Sequence, residues 1–151
     1  MFEVADKTEI LCSPEKAYLK LVYFFQSTGH YKEWHKDHIS CYWNKGKDFS
    51  VNSILYAKEL LNGIPFLLGF KIIKNDPNKE IQFKILFPFL ILCRGGYFTF
   101  LRNDMITEIT AQLEFRGGNI VRKIFNKEVE SIKKHMREEG LSIKKIVEDI
   151  E

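Results

Sequence analysis

The apolar and polar positions of this chain begin with a loose alternation and then change to a helical spacing. The alternation over residues 2–11 predicts a first strand. Ser13 and Pro14 follow, a capping hydroxyl and a residue suited to the first helical position, and apolar residues then recur at helical spacing as far as Phe25. Residues 26–29 are expected to end this helix, and a second short helix is predicted over residues 30–37.

In the middle of the chain the apolar residues recur at every second position. Turn-forming residues interrupt this pattern at 44–48, 62–63, 75–79, 95–96 and 102–104. The pattern over residues 39–115 predicts about six short strands joined by hairpins. In the clearest strand, 105–115, one face consists of Met105, Thr107, Ile109, Ala111, Leu113 and Phe115. The apolar run 85–93 is also predicted as a core strand, because it is far shorter than the about 20 residues of a membrane span.

A single helix is predicted from about residue 119 to the end of the chain. Its apolar positions recur every three or four residues: Val121, Phe125, Ile132, Met136, Ile143, Val147 and Ile150. A strongly twisted antiparallel sheet must bury its apolar face, and this helix is the element available to cover it. We therefore predict one α+β domain over residues 1–151 with a helix-grip fold, in which a curved antiparallel sheet wraps the C-terminal helix around an internal cavity.

The aromatic content supports the predicted cavity. Thirteen phenylalanines and six tyrosines among 151 residues supply a large apolar area for its lining. We expect a hydrophobic small molecule to bind against the phenylalanines of the strand region, which are Phe66, Phe70, Phe83, Phe87, Phe98 and Phe100.

Charge and cysteine content argue against several other functions. The 23 basic and 20 acidic residues are spread through the chain, and a net charge of +3 gives no electrostatic footprint for nucleic acid. The three cysteines form no C-x-x-C pair, which argues against a disulfide framework and fits a reducing cytosol. The first residues lack the basic and then apolar order of a signal peptide, so we expect a cytoplasmic protein without stable membrane insertion.

His135 and Glu139 are candidate metal ligands because they lie one turn apart within the apolar stripe of the C-terminal helix. A histidine and a glutamate at i and i+4 bring a nitrogen and an oxygen to one point, as two ligands of one metal require. Glu138, in contrast, is expected to face solvent. The alternative is a buried hydrogen bond between His135 and Glu139, or a helix end at which both side chains reach water.

Two further segments could complete such a site. His35 and His38 lie three apart just before the strand meander, and their rings face the same way if the segment is helical. Glu59 shares the parity of apolar residues in the strand predicted over 49–61. The alternatives are a surface turn anchored by Trp34 for the histidines, and a solvated strand end before the turn at 62–63 for Glu59.

Together these residues suit a divalent metal. One of His35 and His38, together with Glu59, His135 and Glu139, offers two histidines and two carboxylates, a donor set that suits zinc with a position left for water. The sequence leaves open which of His35 and His38 is the ligand. It contains no G-x-S-x-G motif and no glycine-rich phosphate loop, so covalent serine catalysis and nucleotide binding are not supported.

The element order and the helix start Ser13-Pro14-Glu15-Lys16-Ala17-Tyr18 resemble the START-like superfamily. This superfamily, also called SRPBCC, includes birch-pollen-allergen-like proteins, lipid-transfer domains and polyketide cyclases. The segment 34–38, Glu59 and the segment 135–139 resemble the zinc-dependent 2,4-diacetylphloroglucinol hydrolases, which have the same fold. This narrower resemblance implies zinc-supported hydrolysis of a ketone- or ester-like aromatic or polyketide substrate. The broader one implies, as the alternative, a non-catalytic carrier or sensor of a lipid-like hydrophobic ligand.

Overall fold

A computed structural model describes residues 1–149 as seven strands and four helices. The strands are β1 (Phe2–Ile10), β2 (His38–Lys45), β3 (Ile54–Leu61), β4 (Ile64–Asp76), β5 (Glu80–Ile85), β6 (Cys93–Asn103) and β7 (Ile106–Phe115). The helices are α1 (Pro14–Phe24), α2 (Thr28–Trp34), α3 (Asn119–Ile124) and α4 (Asn126–Glu148). A single 3₁₀ turn, Phe89–Ile91, lies between β5 and β6.

The seven strands form one antiparallel sheet in the order β1-β7-β6-β5-β4-β3-β2. Strands β2 to β7 form a meander, and β1 pairs with β7 so that Phe2 lies opposite Phe115. Helix α4 packs along the sheet and contacts β1 most extensively. The predicted α+β helix-grip fold is therefore confirmed, including the six strands of the central segment.

The N-terminal helices form where their capping residues indicate. The Ser13 hydroxyl accepts a hydrogen bond from the Lys16 N–H at 3.2 Å, and the Ser27 hydroxyl accepts one from the His30 N–H at the same distance. Helix α2 thus begins at Thr28, before the predicted start at residue 30, because Ser27 caps it. The two helices cover one end of the sheet, where the buried residues Ala17, Leu21 and Phe24 pack into the core.

The long C-terminal helix is interrupted at its start. Phe125, with φ −101° and ψ 25°, separates α3 from α4, whereas the sequence pattern predicts one continuous helix. Helix α4 buries Met136, Ile143 and Val147 of the predicted stripe, together with Val129, which the prediction did not include. Ile132 is half-buried and Phe125 is 38% exposed. Ile150, the last member of that stripe, lies outside the described residues. None of the helices in the described part of the chain is long and apolar enough to span a membrane.

Two predictions near residues 85–96 are wrong. Strand β5 ends at Ile85, and residues 86–92 form a loop rather than a core strand, because Pro88 has no N–H to donate to a strand ladder. The predicted turn at Gly95-Gly96 lies instead inside β6, next to a bulge. A Cβ at Gly95 would collide with the Phe83 carbonyl oxygen, so this glycine permits a close backbone approach.

Candidate metal centre and ligand cavity

A cavity of about 430 Å³ lies between the sheet and α4, and its lining is predominantly apolar. Four of the six predicted phenylalanines line it, namely Phe66, Phe70, Phe83 and Phe98. Phe87 does not, because it lies in the 86–92 loop with 77% of its surface exposed. Phe100 does not either, because Tyr18 of α1 covers it with a ring contact of 5.7 Å at the end of the sheet away from the cavity.

Nine further aromatic residues, four of them from the strand region 39–115 and five from outside it, also line the cavity. They are Phe2, Phe25, Tyr31, Trp34, Phe49, Tyr97, Phe89, Phe115 and Phe125. Phe2 and Phe115 stack with ring centroids 5.1 Å apart because β1 and β7 pair at these residues. Periodicity placed Phe115 on the apolar face of its strand, but its contact with Phe2 depends on which strands are neighbours.

Four of the candidate metal ligands converge at the wall of this cavity. His38 begins β2 and lies opposite Glu59 of β3, while His135 and Glu139 lie one turn apart on α4. The His38 Nε2 atom lies 3.3 Å from His135 Nε2, 2.8 Å from Glu139 Oε2 and 3.6 Å from Glu59 Oε2. His135 Nε2 lies 3.5 Å from Glu59 Oε2 and 3.2 Å from Glu139 Oε2. All four ligand atoms lie within 4.8 Å of one another.

The hydrogen bonds of His38 determine which of its ring nitrogens faces the cluster as an acceptor. Its Nδ1 atom lies 2.9 Å from the Tyr31 carbonyl oxygen, which can only accept, so Nδ1 carries a hydrogen. In the neutral ring, Nε2 then presents a lone pair to the Glu139 carboxylate. These two acceptors lie 2.8 Å apart, and the ring of His38 is only 2% exposed, so the pair needs a neighbouring proton or metal ion that both can bind.

In the metal-free cluster a proton on His135 supplies the positive charge. Burial by itself would lower the pKa of His135, but the Glu139 and Glu59 carboxylates outweigh it and raise this pKa to about 11. Burial would likewise raise the pKa of Glu139, yet its contacts with His135 and His38 lower it to about 2. Without metal, the cluster therefore contains a positively charged His135 between the Glu59 and Glu139 carboxylates.

Tyr31 and Trp34 of α2 hold the cluster in place. The Tyr31 hydroxyl donates to Glu59 Oε2 at 2.6 Å, and its ring stacks on His38 with centroids 3.8 Å apart. Burial is the main cause that raises the pKa of Tyr31, followed by the Glu59 charge, so its hydroxyl remains a donor. The Trp34 Nε1–H donates to the Glu139 carbonyl oxygen at 3.0 Å and connects α2 to α4. The sequence analysis did not identify Tyr31 as part of the site.

His35 lies beside the cluster but uses both ring nitrogens elsewhere. Its Nδ1 accepts the Asp37 N–H at 2.9 Å, so Nε2 carries the hydrogen and donates to Glu138 Oε1 at 3.0 Å. The structure thus groups His38 with Glu59, His135 and Glu139, and it groups His35 with His38 and His135, the ring centroids of His35 and His135 lying 4.4 Å apart. The expectation that Glu138 faces solvent needs correction, because its half-buried side chain binds His35, and this hydrogen bond lowers its pKa.

Two of the cysteines are buried. Burial raises the pKa of both Cys41 and Cys93 to about 11, so these side chains are neutral thiols at physiological pH. Neither is suited to act as a nucleophile or as a metal ligand, both of which require the thiolate.

Comparisons with solved structures identify the same architecture in other proteins. A Thermus thermophilus protein, TTHA0849, superposes with a TM-score of 0.74 and 16% identity over 98% of each chain. Norcoclaurine synthase from Thalictrum flavum, in complex with dopamine and hydroxybenzaldehyde, gives a TM-score of 0.73 and 13% identity over 99% of this chain and 88% of that one.

The di-domain ARO/CYC protein BexL, from the BE-7585A biosynthetic pathway, superposes with a TM-score of 0.73 and 11% identity. The match covers 98% of this chain and 47% of BexL. No sequence model of a protein family matches the chain, and no curated protein sequence matches it. Identities this low establish the fold alone. Together with the seven-stranded sheet and the long C-terminal helix, these similarities show that the chain has the helix-grip fold of the START-like, or SRPBCC, superfamily.

Proposed function

We propose that this protein binds an apolar small molecule in its cavity and uses a divalent metal ion, zinc by its donor set, to hydrolyse a ketone- or ester-like aromatic or polyketide substrate. The observation that carries the proposal is the convergence of His38, Glu59, His135 and Glu139 at the cavity wall, with all ligand atoms within 4.8 Å of one another. The resemblance to zinc-dependent diacetylphloroglucinol hydrolases agrees with this donor set.

The distances between the donor atoms fit a tetrahedral zinc site. Zinc binds nitrogen and oxygen at about 2.0–2.2 Å, which places the corners of a regular tetrahedron about 3.3–3.6 Å apart. Four of the five measured distances in the cluster lie between 3.2 and 3.6 Å. The fifth, from His38 to Glu139, is 2.8 Å and is the length of a hydrogen bond. The hydrogen bond from His38 Nδ1 to a backbone carbonyl is also the usual support of a metal-bound histidine.

The residues around the cluster suggest how a substrate is placed. Glu59, His135 and Glu139 line the cavity, so a substrate carbonyl can reach them while its apolar part contacts the phenylalanines. These rings form most of the remaining cavity wall, and Tyr31 holds the Glu59 carboxylate in position. The four side chains would fill a tetrahedral zinc site, so a water molecule or a substrate carbonyl would have to bind as a fifth ligand. Zinc, when bound, would polarise that carbonyl or lower the pKa of that water molecule towards neutrality.

The cavity volume supports an aromatic or polyketide compound as the ligand. About 430 Å³ lies in the range of small-molecule sites, which are about 300–1,000 Å³. The Phe125 end of α4 lies ten residues from His135, so the cavity extends about 15 Å along the helix. In norcoclaurine synthase, the same fold accommodates two small aromatic molecules, dopamine and hydroxybenzaldehyde.

The metal is tested by measuring zinc in purified protein and its affinity in competition with a chelator. We expect one zinc per chain, and we expect His135→Ala and Glu139→Gln each to weaken binding by at least 100-fold. Suitable controls are His30→Gln and Glu130→Gln, which change a histidine and a helix glutamate away from the cluster. Absence of zinc binding, or equal losses in the controls, would refute the metal site.

The second candidate function, a non-catalytic carrier, is favoured by the almost entirely apolar lining. A panel of aryl ketones and esters separates the two functions. Product release that requires zinc and disappears in Glu139→Gln supports hydrolysis. Binding of these compounds without turnover, and with equal affinity in Glu139→Gln, supports the carrier.

A further inference from the structure

Three segments lie together at the end of the sheet where the cavity opens. Strand β3 leads into residues 62–67, β5 into residues 86–94 and β7 into residues 116–127. Because neighbouring strands are antiparallel, the alternate strands β3, β5 and β7 run in the same direction and finish at the same end of the sheet. Phe66 contacts Phe89 with ring centroids 5.6 Å apart, and the Arg116 N–H donates to the Leu92 carbonyl oxygen at 2.8 Å. We call these three segments the mouth surface.

The mouth surface exposes an unusual amount of apolar side chain. Eight large apolar residues in it are between 38% and 77% exposed: Ile64, Leu67, Phe87, Ile91, Leu92, Ile120, Ile124 and Phe125. Ile120 and Ile124 lie one turn apart on α3 and are 75% and 69% exposed. Clusters of this kind rimmed by polar residues mark sites that contact another apolar phase or molecule.

The charges within the mouth surface all have one sign. The three segments contain five basic residues, which are Arg94, Arg116, Arg122, Lys123 and Lys127, and no aspartate or glutamate. One acidic residue, the exposed Glu128, follows directly and also lines the cavity, so basic residues remain in clear excess at the entrance. This contrasts with the whole chain, in which 23 basic residues are nearly balanced by 20 acidic ones. Such a combination of exposed aliphatic and aromatic side chains with lysine and arginine complements an anionic lipid surface, which offers apolar depth beneath a layer of negative charge.

The cavity opens through this same surface. Ile64, Leu92 and Phe125 line the cavity and are also exposed, so they form its rim. An apolar compound that moves between the cavity and a bilayer through this rim avoids contact with water. We propose that the mouth surface docks reversibly on the surface of an anionic lipid bilayer, which places the cavity entrance against the lipid phase.

The test is co-sedimentation with vesicles, with and without anionic lipid. We expect binding to phosphatidylcholine vesicles that contain about 30% phosphatidylserine, and at least tenfold weaker binding to pure phosphatidylcholine. Raising the salt from about 0.1 M to about 0.5 M should also weaken binding, because screening shortens the range of the attraction. The metal variant Glu139→Gln should bind vesicles as the unmodified protein does, so that this result is independent of the proposed hydrolysis.

Two pairs of substitutions assign the binding to the mouth surface. Ile120→Ser with Ile124→Ser, and Lys123→Glu with Lys127→Glu, should each lower the partition coefficient by at least tenfold. The matched controls lie at the opposite end of the sheet: Leu101→Ser with Met105→Ser, which are 62% and 76% exposed, and Lys45→Glu with Lys47→Glu. Circular dichroism establishes that each variant is folded.

Several results would overturn the proposal. These are no binding to either vesicle, binding that is unchanged in the mouth-surface variants, and equal losses in the controls. The surface could instead bind a second copy of the chain. A concentration-dependent dimer that Ile120→Ser with Ile124→Ser abolishes, without vesicle binding by the unmodified protein, would establish that alternative and refute membrane docking.

Discussion

At the scale of single residues, the cluster depends on hydrogen bonds that fix where each proton lies. His38 donates from Nδ1 to a backbone carbonyl, and His35 accepts a backbone N–H at its own Nδ1. The two histidines thus present opposite faces: an acceptor towards the cluster from His38, and a donor towards Glu138 from His35. Of the two histidines, only His38 therefore offers a free ring nitrogen to Glu139 in the present arrangement of hydrogen bonds.

A prediction at this scale concerns Tyr31. Replacing Tyr31 with phenylalanine keeps the ring that stacks on His38 and removes the hydroxyl that holds Glu59. We expect zinc affinity to fall about 10- to 100-fold, the usual effect of losing a group that orients a ligand. Chelator competition measures this. Tyr23→Phe removes a hydroxyl from the exposed Glu33 and should leave zinc affinity unchanged; a similar loss in both variants would contradict a role for Tyr31.

The protonation of His135 predicts how zinc binding depends on pH. The pKa of His135 is raised to about 11, so zinc must displace its proton at any pH below that value. Apparent zinc affinity should therefore rise by about tenfold per pH unit between about pH 6 and pH 8, with about one proton released per zinc. Titration in weakly buffered solution with a pH indicator measures the release. A zinc affinity independent of pH would contradict the protonated cluster.

The charges of His135 and Glu139 also make the stability of the metal-free protein depend on pH, and the His135 contribution falls as the pH rises, whereas zinc affinity rises. A raised pKa at His135 stabilises the fold fully below its ordinary value of 6.5, and this contribution disappears as the pH rises through about 11. A lowered pKa at Glu139 stabilises the fold above 4.5, and this contribution disappears as the pH falls towards about 2. Without metal, both contributions are therefore fully present between about pH 4.5 and pH 6.5, where the cluster stabilises the fold most.

At the scale of elements, local signals explain most starts and ends, and the exceptions have identifiable causes. Ser13 and Ser27 cap α1 and α2 through their hydroxyls. Strand β5 ends before Pro88, whereas the paired glycines in β6 continue their strand. Glycine thus marks two different features in this chain, a turn at Asn62-Gly63 and a close approach between β5 and β6 at Gly95.

The close approach at Gly95 predicts a large effect of one methyl group. Gly95→Ala would place a Cβ against the Phe83 carbonyl oxygen at a backbone φ of +153°, which side chains rarely adopt. We expect the free energy of unfolding to fall by about 3 kcal/mol, from strain and overpacking together. Urea denaturation measures it. Gly118→Ala has open space around the new Cβ and should change stability little; equal losses would indicate that crowding at Gly95 is not the cause.

At the scale of the whole molecule, the curved sheet and α4 enclose a cavity that is separate from the remaining core. The sheet end beneath α1 is filled by packed residues such as Tyr18 and Phe100, whereas the end beneath α4 retains about 430 Å³. One end of the sheet is therefore filled by core side chains, and the other end leaves space that a small molecule could occupy. The candidate metal ligands come from both α4 and the two strands β2 and β3.

Filling the cavity should remove ligand binding and preserve the metal. Ala111 lines the cavity from β7, and Ala111→Phe would occupy part of its volume. We expect binding of an apolar fluorophore to fall by at least tenfold, with zinc affinity unchanged, because Ala111 is not among the ligand residues. Leu101→Phe, an exposed position, is the control. Unchanged fluorophore binding in Ala111→Phe would place the apolar site elsewhere.

The sequence by itself determined the element order, because each signal depends on neighbours along the chain. The alternation in β7, the cap of α1 and the apolar stripe of α4 are local patterns, and the structure confirms the first two and, from Met136 onwards, the third. The stripe also identified His135 and Glu139 as polar residues on an apolar face. Their direction towards the cavity follows from helical geometry, which requires no knowledge of the fold.

Only the tertiary structure decided which distant residues meet. The contacts of His38 with Glu59, the hydrogen bond of Tyr31, and the places of Phe87 and Phe100 depend on strand register and on which helix covers which end of the sheet. The wrong prediction of a core strand at 85–93 has the same origin, since an apolar run shows that residues avoid water but not whether a backbone partner is available. Local periodicity describes one element's faces, and long-range pairing determines what those faces contact.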